Sequence, residues 1–320
     1  MNACIFAGPT LPPGDDARKH AATWLPPAQH GDIHRAAALL RPRAIGIVDG
    51  YFESVPSVWH KEILWAMRQG VHVFGAASMG ALRAAELATF GMRGIGAIFE
   101  AYRDGVLEDG EEPFEDDDEV AVVHGPADSG YMAVSEAMVN IRCTLASAER
   151  AALISPQTRA RLASIAKALF FPERSYERLL QDGRAAGLPG TELSALQAWL
   201  PEGRVNQKRN DALAMLEAMR AFLDGDPGPA EARFHFEYTT LWERASAAML
   251  ARPRPAGRSD LPRATEFSDL QLLELTDWYF SRVLGQDIPD DLEGWARGCG
   301  YSDLAQFHQA IFDEYVYRNG

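Results

Sequence analysis

The chain has 320 residues, and its 31 Lys and Arg against 45 Asp and Glu leave a net charge of −14. The acid excess argues against the basic surface that non-specific nucleic-acid binding needs, and against docking on an anionic membrane. No stretch approaches the ~20 apolar residues of a membrane helix, the start Met1-Asn2-Ala3-Cys4 lacks the pattern of an export signal, and three scattered cysteines (Cys4, Cys143, Cys299) fit a reducing cytoplasm without zinc-type spacing.

Over residues 1–150, strand and helix patterns alternate. Cys4-Ile5-Phe6-Ala7 is a short apolar run stopped by Gly8-Pro9, and Ile33, Ala36, Ala37 and Leu40 share a helical face. Ala44–Val48 reads as a strand closed by Asp49-Gly50. A helix over 57–69 ends at Gly70, a strand over 71–74 ends at Gly75, and Met79 to Leu87 is a helix rich in Ala and Leu. Val120–Val123 is a further strand candidate. This alternation predicts an α/β fold, a parallel-sheet core with helical crossovers.

Beyond residue 150 the strand signal fades, giving a mostly α-helical C-terminal half. Ser155-Pro156 opens a helix by cap and first-turn proline, and residues 207–223 carry another helical pattern. Residues 224–229 and 252–257 read as exposed linkers. Ser268 and Ser302 are candidate caps of two last helices. The expected organisation is a core over 1–150, a helical extension over 151–250 that packs on it, and a small helical domain over 251–320 offering a docking surface.

The chemistry points to Gly75-Ala76-Ala77-Ser78-Met79-Gly80-Ala81-Leu82-Arg83. A strand ends, small residues turn, a serine follows and a helix starts at once, the layout of a nucleophile elbow with Ala-x-Ser-x-Gly in place of Gly-x-Ser-x-Gly. Backbone N–H groups at Met79 and Gly80 could hold an oxyanion. A helix-capping serine accounts for the same pattern. Parallel topology brings the first turns of the 57–69 helix to the edge that carries Ser78, so His60 or Lys61 could serve as base. Asp49 reaches that edge as well. Arg83 either pairs with Glu86 or faces an anionic substrate. Glu115 to Glu119 lacks calcium-loop spacing and reads as a solvated acidic loop, so no metal is expected. His124 reads as a packed histidine, and Gly91, Gly94 and Gly96 do not form a dinucleotide fingerprint.

Asp49-Gly50-Tyr51-Phe52-Glu53, then Val58 to Leu64, then Gly75 to Leu87 resemble the core of the TfuA-like family. Gly91-Met92-x-Gly94-x-Gly96 and Asp117-Asp118-Glu119-Val120-Ala121 with His124 continue the resemblance, which spans about 44–150. Lys208-Arg209 with Asp211-Ala212 resembles a family pattern more weakly. The resemblance implies a partner of YcaO enzymes in peptide backbone thioamidation, without a cofactor of its own. It implies sulfide delivery by hydrolysis of the C-terminal thiocarboxylate of a ThiS-like carrier protein through a serine–lysine pair. Carried over, the pair is Ser78 and Lys61, and Ala77 stands where relatives often have a second serine. It also offers Asp117, Asp118 and Glu119 as a face for YcaO, which would in turn bring the precursor peptide. The alternative is a non-catalytic adaptor that recruits the peptide to YcaO.

Overall fold

The structure, a computed structural model, describes residues 2–19, 21–51, 55–107, 114–251, 269–284, 287–299 and 301–319. Five strands, β1 (Ala3–Phe6), β2 (Thr23–Leu25), β3 (Ala44–Ile47), β4 (His72–Gly75) and β5 (Arg93–Gly94), form one all-parallel sheet in the order β2-β1-β3-β4-β5. Their buried residues alternate between two cores, as the two-residue period of a strand requires. Cys4, Phe6, Ile45, Ile47 and Val73 face one side, while Ala3, Ile5, Ala44 and Phe74 face the other.

The first side is covered by crossover helices. These are α1 (Asp32–Arg35, extended by a π-helical turn over Ala36–Leu40), α2 (His60–Arg68), α3 (Met79–Leu87) and α4 (Ala97–Asp104), whose Ile33, Ile63, Ala84 and Ile98 are fully buried. The chain then folds into α5 (Met138–Arg150), α6 (Pro156–Ala168), α7 (Tyr176–Ala185) and α8 (Gly190–Gly203), which share a core of Ile141, Leu145, Leu162, Leu179 and Leu196. Ser155 caps α6 as expected, its hydroxyl accepting from Thr158 N–H.

The second side of the sheet is closed by α9 (Gln207–Asp224). Met215, Leu216 and Met219 pack with Ile5, Val48 and Phe74, and Phe222 meets the rings of His72 and Phe74 at 4.7 and 5.6 Å. Thus α9 belongs to the sheet's sandwich although it comes from the helical half. The segment after it is no free linker. Arg43 holds Asp226 and the Pro227 carbonyl, and Ala230 N–H donates to Gly70 O. Then α10 (Thr240–Ala251) rests on α1 through Ser246 and His34. Helices α11 (Asp269–Trp278), α12 (Leu292–Gly298) and α13 (Leu304–Asn319) surround a separate core of Leu275, Phe280, Phe307 and Ile311.

Two expectations are corrected. Val120–Val123 is irregular, apart from a bridge at the next residue between His124 and Ala133. Its backbone bonds go to side chains as well as to the main chain: Val120 O accepts from Lys208, Val123 N–H donates to Ser135 Oγ, and Val123 O accepts from Val134 N–H. At α13 the capping side chain is Asp303, which accepts Gln306 N–H, and not Ser302. Phe52-Glu53, the 252–257 break and Ser268 lie outside the described residues. Among the described residues, no helix is long and apolar enough to cross a membrane.

Candidate functional site

At the end of β4 the chain makes a cramped reversal. Ala77 adopts φ 68°, and Ser78 N–H folds back onto Ala76 O at 2.8 Å. A three-residue turn closed around a positive-φ residue is the strained form of the γ-turn. Left-handed backbone costs a side-chain-bearing residue of order 1–2 kcal/mol, and such strain collects at functional positions. The turn sets Ser78 at the N-terminus of α3, partly exposed. The serine does not cap the helix, and its Oγ has no hydrogen-bond partner among the described residues.

The two expected oxyanion donors differ. Met79 N–H takes no backbone acceptor, whereas Gly80 N–H is turned onto Val48 O at 3.3 Å. Gly80 serves packing instead: a Cβ there would sit 1.7 Å from Ile47 O, and one on Gly75 would sit 2.1 Å from Gly80 O. These two glycines let the first turn of α3, where the Met79 N–H has no backbone acceptor among the described residues, press directly onto the strand ends.

The helix-α2 candidates lie elsewhere. Lys61 stacks its Nζ over Phe236 at 5.2 Å and Trp242 at 5.8 Å, and makes no hydrogen bond to Ser78. It occupies the α2 face opposite Ile63, Ala66 and Met67, which point to the sheet. His60 Nε2 pairs with Glu86 at 2.7 Å. Arg83 is spent on structure: it donates to Val58 O, Ser57 Oγ and Glu86, pinning the start of α2 to α3. Thus no hydrogen bond joins Ser78 and Lys61 among the described residues, and Arg83 pairs with Glu86.

Asp49 is at the rim, 2% exposed. Its carboxylate accepts from Gly8 N–H, Thr10 N–H and Thr10 Oγ1 at 2.8, 3.0 and 2.6 Å, fastening the loop after β1 beside the end of β3.

A lysine that the edge argument passed over does reach this rim. Phe222 packs at the start of β4, while Asp211 Oδ2 accepts Ile98 N–H where α4 begins beyond β5. Helix α9 therefore runs antiparallel to the strands, and Lys208, one turn before Asp211, lies at their carboxyl ends. It is 4% exposed, and its Nζ donates to one protein acceptor, Val120 O, at 2.7 Å. Burial lowers its pKa from the lysine value, against opposing pulls from Asp49 and Glu136. A desolvated lysine is the form in which an amine acts as a base near neutrality. The signal in the sequence was the Lys208-Arg209 and Asp211-Ala212 resemblance.

The acidic run is solvated at Glu115, Asp116 and Asp117, but its last two members are not. Glu119 is fully buried, held at 3.0 Å by two guanidinium nitrogens of Arg142 and at 2.9 Å by Lys167. Asp118 is taken by Lys167 and Arg174. Of Asp117, Asp118 and Glu119, Asp117 alone remains exposed. His124 lies half-buried on the rim, its ring near Tyr51 and Tyr131 at 5.8 and 5.7 Å, with Nδ1 on Gly125 O.

Residues 49–175 match the family described as TfuA-like protein. That segment contains Asp49, Ser78 and the elbow but ends before Lys208. No curated protein matches the chain.

Proposed function

We propose, for a chain that carries a TfuA-like domain, a role in the YcaO-associated thioamidation system as the sulfide-releasing hydrolase, acting on the C-terminal thiocarboxylate of a ThiS-like carrier protein. The observation that carries this reading is the strained turn at Ala77, which presents an uncapped Ser78 beside a free Met79 N–H on the rim that also holds buried Lys208.

In this reading Ser78 Oγ attacks the thiocarboxylate carbonyl carbon and its proton passes to neutral Lys208. Met79 N–H stabilises the oxyanion. The C–S bond breaks, and the proton leaves with sulfur as hydrosulfide. Water then cleaves the acyl-serine, regenerating the hydroxyl and a carrier carboxylate. Lys208 takes the role that the resemblance alone would give to Lys61, because Lys61 is engaged by Phe236 and Trp242.

The test is sulfide release from thiocarboxylated carrier by the purified protein. Ser78→Ala is expected to lower the rate by roughly a thousandfold or more, and undiminished release by that variant refutes the serine. One observation favours the adaptor reading: Ser78 Oγ is not hydrogen-bonded to any base. Contacts of this kind often tighten only when substrate is bound. Stable YcaO binding with no turnover of thiocarboxylate would establish the adaptor.

A further inference from the structure

A cleft of about 290 Å³ opens on the same rim, walled by Thr10, Ser135, Tyr176, Arg204, Asn206 and Lys208. Most wall groups are already satisfied. Thr10 bonds Asp49, Ser135 Oγ accepts Val123 N–H, Tyr176 OH meets Thr144, and Asn206 caps α9. Two cations keep bonding capacity. Lys208 uses Nζ on one carbonyl, and the Arg204 guanidinium has no hydrogen bond or ion pair among the described residues. The Arg204 guanidinium is laid flat over the Tyr176 ring at 4.7 Å, which holds its planar donors in place. Glu136 and Glu177 also reach the cleft, so it offers acceptors as well as donors. A free phosphate, compact and doubly charged, suits that spread mixture with two carboxylates poorly. An extended peptide, with N–H and C=O alternating and a negative carboxyl end, suits it well. Val134, 66% exposed, forms an apolar lip of the cleft.

The cleft also points the right way. Thr10 is tied to Asp49 at the end of β3, and the next strand delivers Ser78. Two strand spacings amount to roughly 10 Å, which about three extended residues cover. We infer that this cleft is the docking channel for the extended carboxyl-terminal tail of the carrier protein, running from Arg204 past Lys208 to Ser78. The inference rests on the hydrolase reading and adds where its substrate binds.

The experiment uses the full chain and the carrier in its carboxylate form, which is not turned over, with a synthetic peptide of the carrier's carboxyl-terminal segment as second probe. Affinities are measured by calorimetry, and KM and kcat by sulfide release. Arg204→Glu replaces an exposed residue outside the proposed chemistry. It is expected to weaken both probes by roughly tenfold or more, and to raise KM with kcat retained. Val134→Asp is expected to weaken the carrier likewise. Unchanged affinity in both variants overturns the channel even if Ser78→Ala abolishes release. Binding that depends on Arg204, found beside undiminished release by Ser78→Ala, upholds the channel and overturns the serine instead.

Discussion

At the scale of single residues, the decisive contrast is between two lysines. Lys61 lies over aromatic rings, a placement worth of order 0.5–1 kcal/mol when partly exposed. Lys208 is buried, and desolvation favours its neutral form. Lys208→Met, close in shape, is expected to lower kcat for sulfide release by about 10²–10⁴, whereas Lys61→Ala should leave kcat nearly unchanged. The pH profile carries the sign. If the neutral amine is the base, as proposed, its lowered pKa makes the rate rise with pH, with a midpoint below the ordinary lysine value of ~10.4. A profile of unchanged midpoint in Lys208→Met would remove this lysine from the chemistry. Ser78 was legible because its whole motif is local: strand, small residues, helix. The lysine proposed for it was not, because nothing local in the sequence announces that α9 returns antiparallel to the strands and sets Lys208 over the same edge.

At the scale of elements, the elbow depends on backbone approaching backbone. Helix α3 was readable to its ends, since Gly75, Gly80 and the Ala-Leu pattern agree on one answer. The strand pattern at Val120–Val123 misled for a physical reason. An apolar run needs a neighbouring ladder to become a strand, and here two of its backbone groups are taken by the side chains of Lys208 and Ser135. Strand β5, two residues long, is too short to leave a period. Gly80→Ala would force a methyl group into Ile47 O. Overpacking against rigid backbone costs typically 1–3 kcal/mol, so the variant should show a lowered Tm by calorimetry. Release should fall further than the stability loss explains, since Met79 N–H would shift with the helix start. A variant as stable and active as the parent would show that this close approach has no role.

At the scale of the molecule, two of the long-range devices that join the front and back halves stand out. One is α9 on the sheet. The other is the buried ion network in which Arg142 of α5 and Lys167 of α6 grip Glu119, while Lys167 and Arg174 grip Asp118. Removing one member of a buried pair typically costs 3–5 kcal/mol, because the remaining charge stays in place without its partner. Arg142→Met is expected to destabilise by about that much in urea unfolding; a loss under ~1 kcal/mol, the size of a surface pair, would mean that Lys167 alone satisfies Glu119. The α/β class could be read from alternating patterns, and the helical half from its caps. The membership of α9 in the sheet's sandwich could not, since its amphipathic pattern shows that it packs without showing upon what.

That membership has a consequence for how the molecule comes into being. While the ribosome is still extending the chain through residue 200, Ile5, Val48 and Phe74 lack the methionines that cover them, and the elbow has no amine at hand. Cover for that apolar surface and the amine of Lys208 thus arrive in one late event, the docking of a single helix. Under the proposed hydrolase reading, a nascent chain would release no sulfide until that helix is in place.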